Sequence, residues 1–493
     1  MLLLLLALGI VWRLGALDGR ALSRLPWLGS PPSAPSHGGP NIILVLTDDQ
    51  RWDTLAWMST VSALPARQFT NAYATTQLCC PSRASILTGQ YAHRHGVLTN
   101  GGSRGGWARF NPADTLAVRL QAAGYRTALV GKYLNGYLST EIPPGWDDWF
   151  AINSPAAEHS GSYYYEYTIN ANGTVQRYGS AESDYSTDVL VRHAQEVIRA
   201  DDPRPFFVLL ATVAPHFQSG GGTNAIHAPR HTALFADLKQ DHTPSFNEAD
   251  VSDKPSWISR LPLLDLGAVA NPDQHFREQV RSLQAVDEGI ARLLADLRDL
   301  GKLDNTVVIF MSDNGLMMGE HRINRRKTCP YQECLRVPLV ISYPRLTPGR
   351  VVDDRVALNI DLAPTLLDLA GLPIDSAIDG RSLLPLLRGE QPAWRTDFLA
   401  EAWGQDLPGQ PDWAAVHSLG WSYVQHASGD LELYDLQEDP YEVENRAGDS
   451  AYAAQQARLA SRLSEYLQAR AAVARPLPTP RPAEESSPAN GEE

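Results

Sequence analysis

Positive charge, cysteine and long apolar runs are all scarce in this chain. Lys and Arg number 42 against 56 Asp and Glu, a formal net charge of −14. No basic stripe appears, which argues against a nucleic-acid partner. Any anion site must therefore be a local group of cations on an acidic protein. The apolar run Met1 to Trp12 ends at Arg13, short of the roughly 20 residues that span a bilayer. It has the character of a secretory hydrophobic region, although no basic segment precedes it. Residues 1–25 are accordingly expected to be a signal peptide or short N-terminal anchor on an exported protein, with no stable membrane span. The four cysteines, Cys79, Cys80, Cys329 and Cys334, allow two disulfides at most. Internal repeats are absent.

What is present is the composition of a soluble globular protein. Of 493 residues 43% are hydrophobic and 20% charged, enough for one large domain and a smaller one. Residues 26–39, rich in Pro, Ser and Gly, read as a linker. Asn41 to Thr47 is a continuous apolar run, as in a strand buried on both faces, and it ends in Asp48-Asp49-Gln50. Arg126 to Val130, Phe206 to Thr212 and Thr306 to Met311 have the same texture. They deliver Gly131-Lys132, Pro215-His216 and Ser312-Asp313-Asn314-Gly315. Between them lie helical patterns: Asp114 to Ala123, Ser186 to Ile198, Phe276 to Leu300 and, later, Asp361 to Ala370. Alternating strands and helices imply a mostly parallel sheet sandwiched by helices, an α/β architecture. Ligands of such sheets gather at the carboxyl ends of the strands, so Asp48, Asp49, Lys132, His216, Asp313 and Asn314 are expected to converge.

The segment Leu78 to Gln90 is the centre of the pattern. Pro81 suits a first helical turn and Gly89 the residue just past the end, giving a short helix with Cys79 at its N-terminus. That position favours anions, and Arg83, four residues on, shares a face with Cys79. Three carboxylates and an amide oxygen at neighbouring strand ends favour a hard cation, calcium or magnesium, over zinc. Past Pro392 the texture changes to short strand-like runs, 414–417, 421–426 and 431–436, which read as a small antiparallel sheet. A polar amphipathic helix follows over 451–471. The resulting division is 40–391 for a main domain, 392–472 for a C-terminal α+β subdomain and 473–493 for a disordered tail.

Cys79-x-Pro81-Ser82-Arg83 followed by Leu87-Thr88-Gly89 resembles the signature of type I sulfatases, in which the cysteine is oxidised to formylglycine. The resemblance extends along the chain through Asp48-Asp49-Gln50, Gly131-Lys132, Pro215-His216, Ser312-Asp313-Asn314-Gly315, Lys327, Asp361-Leu362-Ala363-Pro364-Thr365, Asp379-Gly380-Arg381-Ser382 and Glu432-Leu433-Tyr434-Asp435. Cys79 to Gly89 and Gly131-Lys132-Tyr133-Leu134-Asn135 are closest to the N-acetylglucosamine-6-sulfatase-like branch.

The resemblance implies an alkaline-phosphatase-like fold and a sulfuric ester hydrolase acting on a sulfated small molecule or glycan. One calcium ion would be held by Asp48, Asp49, Asp313, Asn314 and the converted Cys79. A formylglycine-generating enzyme would be the maturation partner. Arg83, Lys132, His216 and Lys327 would hold the ester and stabilise charge, with His216 or Lys327 protonating the leaving alcohol. Conversion of Cys79 leaves three thiols and one possible disulfide. Leu134 stands where many sulfatases have a histidine that contacts the formylglycine, so the proton acceptor for sulfate release is not identified by the motif. His93 and His95 read as packed structural residues. Two alternatives accompany this reading: a formylglycine-dependent phosphodiesterase or phosphonate hydrolase of the same superfamily, and a non-catalytic sulfated-glycan-binding protein.

Overall fold

The computed structural model describes residues 39–153, 163–218, 224–265, 271–404 and 409–473. The expected leader, most of the linker, and the tail from residue 474 lie outside them.

Ten strands form one central sheet: β1 (Asn41–Thr47), β2 (Arg67–Phe69), β3 (Arg126–Gly131), β4 (Asp148–Ile152), β5 (Thr168–Ala171), β6 (Thr174–Arg177), β7 (Phe206–Ala211), β8 (Thr306–Ser312), β9 (Leu339–Ser342) and β10 (Val351–Asp353). Their spatial order is β10-β2-β9-β8-β1-β7-β3-β4-β5-β6. The four apolar runs read from the sequence are the neighbours β8, β1, β7 and β3. All three of their pairings are parallel, so their carboxyl ends lie along one edge. β9 pairs antiparallel with both β8 and β2, and β5 pairs antiparallel with β4 and β6.

Alternation along β1 shows why the run is apolar throughout. Ile42, Leu44 and Leu46 enter one core, with residues of α1 (Cys79–Thr88), α2 (Leu116–Ala122) and α5 (Leu362–Leu369). Ile43 and Val45 enter the other, with α3 (Ser186–Arg199) and α4 (Pro272–Asp299). Strand side chains alternate between faces, so a sheet covered on both sides needs apolar residues at every position. Each such side chain contributes about 1.5–3 kcal/mol when buried.

The helices begin and end where local chemistry dictates. α4 starts a turn earlier than its apolar spacing suggests, because Asn271 accepts from the backbone N–H of Asp273 and Gln274 and Pro272 occupies the first position. α2 is capped by Thr115. α5 is preceded by a 3-10 turn at Asn359–Asp361.

A second sheet of four antiparallel strands follows, in the order β11 (Asp397–Ala402), β12 (Trp413–Ser418), β13 (Trp421–His426) and β14 (Leu431–Asp435). The sequence pattern anticipated the last three. One face packs Phe398, Ala400, Trp413 and Val424 on Tyr73, Leu335 and Leu358 of the main body. The other packs Leu399, Val416 and Leu433 against Leu459 and Leu463 of α6 (Ala453–Val473).

Candidate active site

Every residue singled out from the sequence as a site candidate lies at this one edge. Asp48 and Asp49 follow β1, Asp313 and Asn314 follow β8, Lys132 follows β3, and His216 comes five residues after β7. Cys79 is the first residue of α1, and Lys327 arrives on the segment that follows Asn324–Arg326. All except His216 are buried, and His216 is nearly so.

The turns after the strands are locked to one another by the backbone. Asp49, in the left-handed region at φ 63°, donates its N–H to Asp313 Oδ1 at 3.1 Å, and Gln50 N donates to Ser312 Oγ at 2.9 Å. Gly131 has φ +119°, and a Cβ there would meet the Ala211 carbonyl at 2.0 Å. Only glycine lets β3 turn closely enough for Lys132 N to reach that carbonyl at 2.8 Å.

Cys79 sits at the focus. Its Sγ is 3.4 Å from Asp48 Oδ1 and 2.8 Å from Lys327 Nζ. Lys327 also pairs with Asp49, and Lys132 with Asp48. Arg83 donates from Nε to Asp313 Oδ2 at 2.8 Å and from Nη1 to the Lys132 carbonyl at 2.7 Å. Its Nη2 lies 3.6 Å from Asp48 Oδ2 and has no hydrogen bond. Three carboxylates thus face three fixed cations in a buried space.

The charge states follow from that crowding. Burial alone would raise Asp48, but Lys132, His216, Arg83 and Lys327 outweigh it and hold the carboxyl far below its usual range. Asp313, with burial and the Asp48 charge against it, is pushed up to about 6. Burial and Asp48 push the Cys79 thiol up to about 12. Burial would lower both lysines, yet Asp48 keeps Lys132, and Asp49 keeps Lys327, above the ordinary amine value. Burial lowers His216 despite the nearby acids, so its ring is neutral. His216 Nδ1 is 2.5 Å from the Phe217 carbonyl, and a carbonyl only accepts. The proton is therefore on Nδ1, and the bare Nε2 points toward Asp49 Oδ2 at 3.5 Å.

The donor set suits a metal ion. Ligand atoms of Asp48, Asp49, Cys79 and His216 all lie within 4.8 Å of one another. Asp49 Oδ2 and Asn314 Oδ1 are buried oxygens without a hydrogen-bond partner, an unfavourable state unless something else binds them. Asn314 Nδ2 donates to Asp49 Oδ1 at 2.6 Å, which turns its oxygen away from that carboxylate. The oxygens of Asp48, Asp49 and Asn314 fit a hard cation, whereas Cys79 Sγ and the His216 ring are softer ligands.

Several supporting residues escaped the sequence reading. Asn100 Oδ1 accepts the Cys80 N–H at 2.9 Å and so caps α1 from a distant loop. Asn359 Nδ2 donates to Ser82 Oγ at 2.9 Å, and Ser82 Oγ donates to the Asp313 carbonyl at 2.5 Å. Gln279 of α4 reaches the Asp49 carbonyl at 3.4 Å. From the C-terminal side, Gln410 Nε2 and Trp413 Nε1 each donate to the Thr328 carbonyl at 2.8 Å, fixing the residue beside Lys327. His93 and His95 stand outside the cluster: His93 pairs with Glu401 at 2.8 Å, and His95 bonds Ser85 Oγ at 3.0 Å.

Comparison with known proteins bears on this cluster. Residues 40–372 match the family described as Sulfatase, and residues 319–469 match N-sulphoglucosamine sulphohydrolase, C-terminal. The extracellular sulfatase SULF-1 homolog of Drosophila melanogaster is 36% identical over 74% of this chain, which spans 33% of that relative's length. Human N-acetylglucosamine-6-sulfatase is 34% identical, with 74% of this chain and 68% of the relative covered. A structure solved in complex with its substrate D-glucosamine-2-N,6-O-disulfate superposes with a TM-score of 0.72 at 26% identity, covering 88% of this chain and 99% of that one.

Proposed function

The chain belongs to the sulfatase family, and from that premise we propose that it hydrolyses a sulfate ester of an alcohol or sugar at the cluster around Cys79. The supporting observation is the state of Cys79 itself. A cysteine that attacks directly works as a thiolate in a setting that lowers its pKa. This one is 1% exposed at the first residue of α1, its Sγ set between Asp48 Oδ1 at 3.4 Å and Lys327 Nζ at 2.8 Å, and burial and Asp48 raise rather than lower its pKa. We therefore assign Cys79 to conversion into formylglycine by a formylglycine-generating enzyme. The hydrated aldehyde supplies a hydroxyl nucleophile and a route for expelling sulfate.

Asp48, Asp49, Asp313 and Asn314 would hold one calcium ion, which polarises oxygens and adds positive charge to the site when bound. Three carboxylates and three fixed cations balance, so a divalent ion leaves the cluster positive by two, which favours an anionic ester and leaves one positive charge in excess when a monoanion is bound. Arg83 is held rigid by Asp313 and the Lys132 carbonyl, with Nη2 free of hydrogen bonds for an anion. Lys132 and Lys327 stay protonated and can stabilise charge on transferred oxygens. Lys327 can also protonate the leaving oxygen. His216, with its proton on Nδ1, presents a bare Nε2 to the site and is suited to accepting one. That supplies the acceptor that Leu134, buried among apolar residues, cannot be.

A 6-sulfated N-acetylglucosamine or related glycosaminoglycan is the proposed substrate class, on the strength of what the relatives act on. Export is proposed from the extracellular relative and the apolar N-terminal run. Among the described residues no helix is long and apolar enough to cross a membrane. Residues 40–391 would be the catalytic domain and 392–472 a subdomain bracing the Lys327 segment.

The test is protein co-produced with a formylglycine-generating enzyme. The peptide holding residue 79 should lose about 18 Da, thiol to aldehyde, and an aryl sulfate should turn over faster than the matching phosphate and phosphonate esters. An unmodified thiol without turnover removes the proposal. Faster phosphonate turnover replaces it with the related hydrolase.

A further inference from the structure

Cys329 and Cys334 share one buried cluster beside the Lys327 segment. Both are fully buried, in one apolar cluster with Trp257, Met317 and Tyr331. After Cys329 the chain turns into the one-turn helix Gln332–Leu335, where Cys334 N donates to the Tyr331 carbonyl at 3.0 Å. The doubling-back returns Cys334 to the buried cluster that holds Cys329; both are free thiols, Cys334 Sγ lies 3.7 Å from the Arg326 carbonyl, and burial together with the neighbouring Cys329 thiol raises the Cys334 thiol's pKa. The other two cysteines are elsewhere. Cys79 Sγ faces Lys327, and Cys80 packs in the core under α1 with its backbone N–H on Asn100 Oδ1.

The backbone at each cysteine is anchored to one half of the candidate site. The Cys329 carbonyl accepts from Gln77 Nε2 at 2.7 Å, two residues before Cys79. The Cys334 carbonyl accepts from Gly315 N at 2.9 Å, the residue after Asn314. A Cβ at Gly315 would meet the Glu333 carbonyl at 2.0 Å, so the contact is close as well as direct. Whatever fixes residues 329 and 334 relative to each other also fixes the cysteine turn relative to the acid turn, with Lys327 between.

We propose that Cys329 and Cys334 form an intrachain disulfide that clamps the segment carrying Lys327. The clamp rests on the proposed export, because an oxidising compartment is where such bonds form and persist. One thiolate attacks the disulfide of a compartment thiol–disulfide oxidoreductase, giving a mixed disulfide. The second thiolate displaces the oxidoreductase, whose two sulfurs leave as thiols. Two protons and two electrons pass from the cysteine pair to that oxidant. The exchange takes place during folding, since neither sulfur is accessible afterwards.

The experiment compares full-length protein secreted through an oxidising compartment with the same chain made in a reducing cytoplasm. Each is denatured and alkylated without reductant, then digested with trypsin. One peptide, 328–336, contains both cysteines. From the secreted protein it should be unalkylated and about 2 Da lighter than the dithiol form, and should take two alkyl groups only after reduction. Alkylation of both cysteines in the secreted protein, or linkage of either to Cys80, overturns the proposal. The same digest reports residue 79 on its own peptide, so failure of the clamp and failure of the sulfatase reading are distinguishable. As a second readout, the secreted wild type should melt a few degrees above the dithiol form, whereas C329A/C334A should melt alike from both sources. Equal melting of the two wild-type preparations overturns the clamping role.

Discussion

Lys327 Nζ lies 2.8 Å from Cys79 Sγ while also pairing with Asp49, so one buried ammonium touches both the residue proposed for conversion and a candidate metal ligand. If it protonates the leaving oxygen, Lys327→Ala should lower kcat by about 10²–10³-fold on an alkyl or sugar sulfate. The loss should be much smaller on a nitrophenyl sulfate, whose leaving group needs no proton. Equal losses on both assign Lys327 to charge stabilisation alone.

Cys79→Ser keeps the volume and the contacts with Asp48 and Lys327 but cannot become an aldehyde by thiol oxidation. Turnover of aryl sulfate should fall by at least about 10³-fold, with the melting temperature nearly unchanged. Multiple turnovers at near wild-type rate would remove the need for conversion.

Arg83→Ala would leave Asp313 without its 2.8 Å partner and the Lys132 carbonyl without a donor. Removing one member of a buried pair costs about 3–5 kcal/mol. Urea unfolding should show that loss, and Arg83→Lys should recover part of it. A loss below about 1 kcal/mol in Arg83→Ala would mean that the pair contributes little.

Calcium should stabilise the folded chain. At 100 times Kd a ligand that binds only the native state adds about 2.7 kcal/mol, read as a rise in melting temperature that a chelator reverses. Asp49→Asn removes a carboxylate whose Oδ2 is buried and unpartnered and should abolish the response. An identical rise in the variant would place the ion elsewhere.

Acid should destabilise the protein through buried neutral histidines. Burial pushes His95, His275 and His417 each down to about 3 from an ordinary 6.5. Between those values the unfolded chain binds protons that the folded chain refuses, so stability is full above about pH 6.5 and falls as pH drops toward 3. At pH 5 each contributes roughly 2 kcal/mol of loss. Both ring nitrogens of His417 lack hydrogen bonds, so His417→Leu should flatten the difference in unfolding free energy between pH 7 and pH 5 by about that amount. An unchanged slope would show that His417 is already protonated in the fold.

The four strands that carry the site were legible because a strand buried on both faces has to be apolar at every position, and each one announces its end with a polar residue. β2, β9 and β10 were not: with three or four residues each, they offer no periodicity, and their place is set by β8. β5 and β6 lie toward the opposite edge, and β6 is exposed throughout, so hydropathy marks it as loop. Cys79 and Arg83 could be paired from helical spacing alone. Asn100, Gln279 and Asn359 could not, since each is one amide among many until the fold brings it to Cys80, Asp49 or Ser82. The orientation of His216 likewise depends on the Phe217 carbonyl, which no motif encodes.

Cys79 is 1% exposed and β1 beside it is walled by β8, and this imposes a timetable on the proposed conversion. No enzyme can reach the thiol once the sheet has closed, and the sheet cannot close before residue 312 has been made, about 230 residues after Cys79. At ordinary synthesis rates that leaves roughly 10–50 s. A chain that folds slowly stays open to modification for longer, so a substitution that accelerates pairing of β1 with β8 could yield a sound fold and an inert protein.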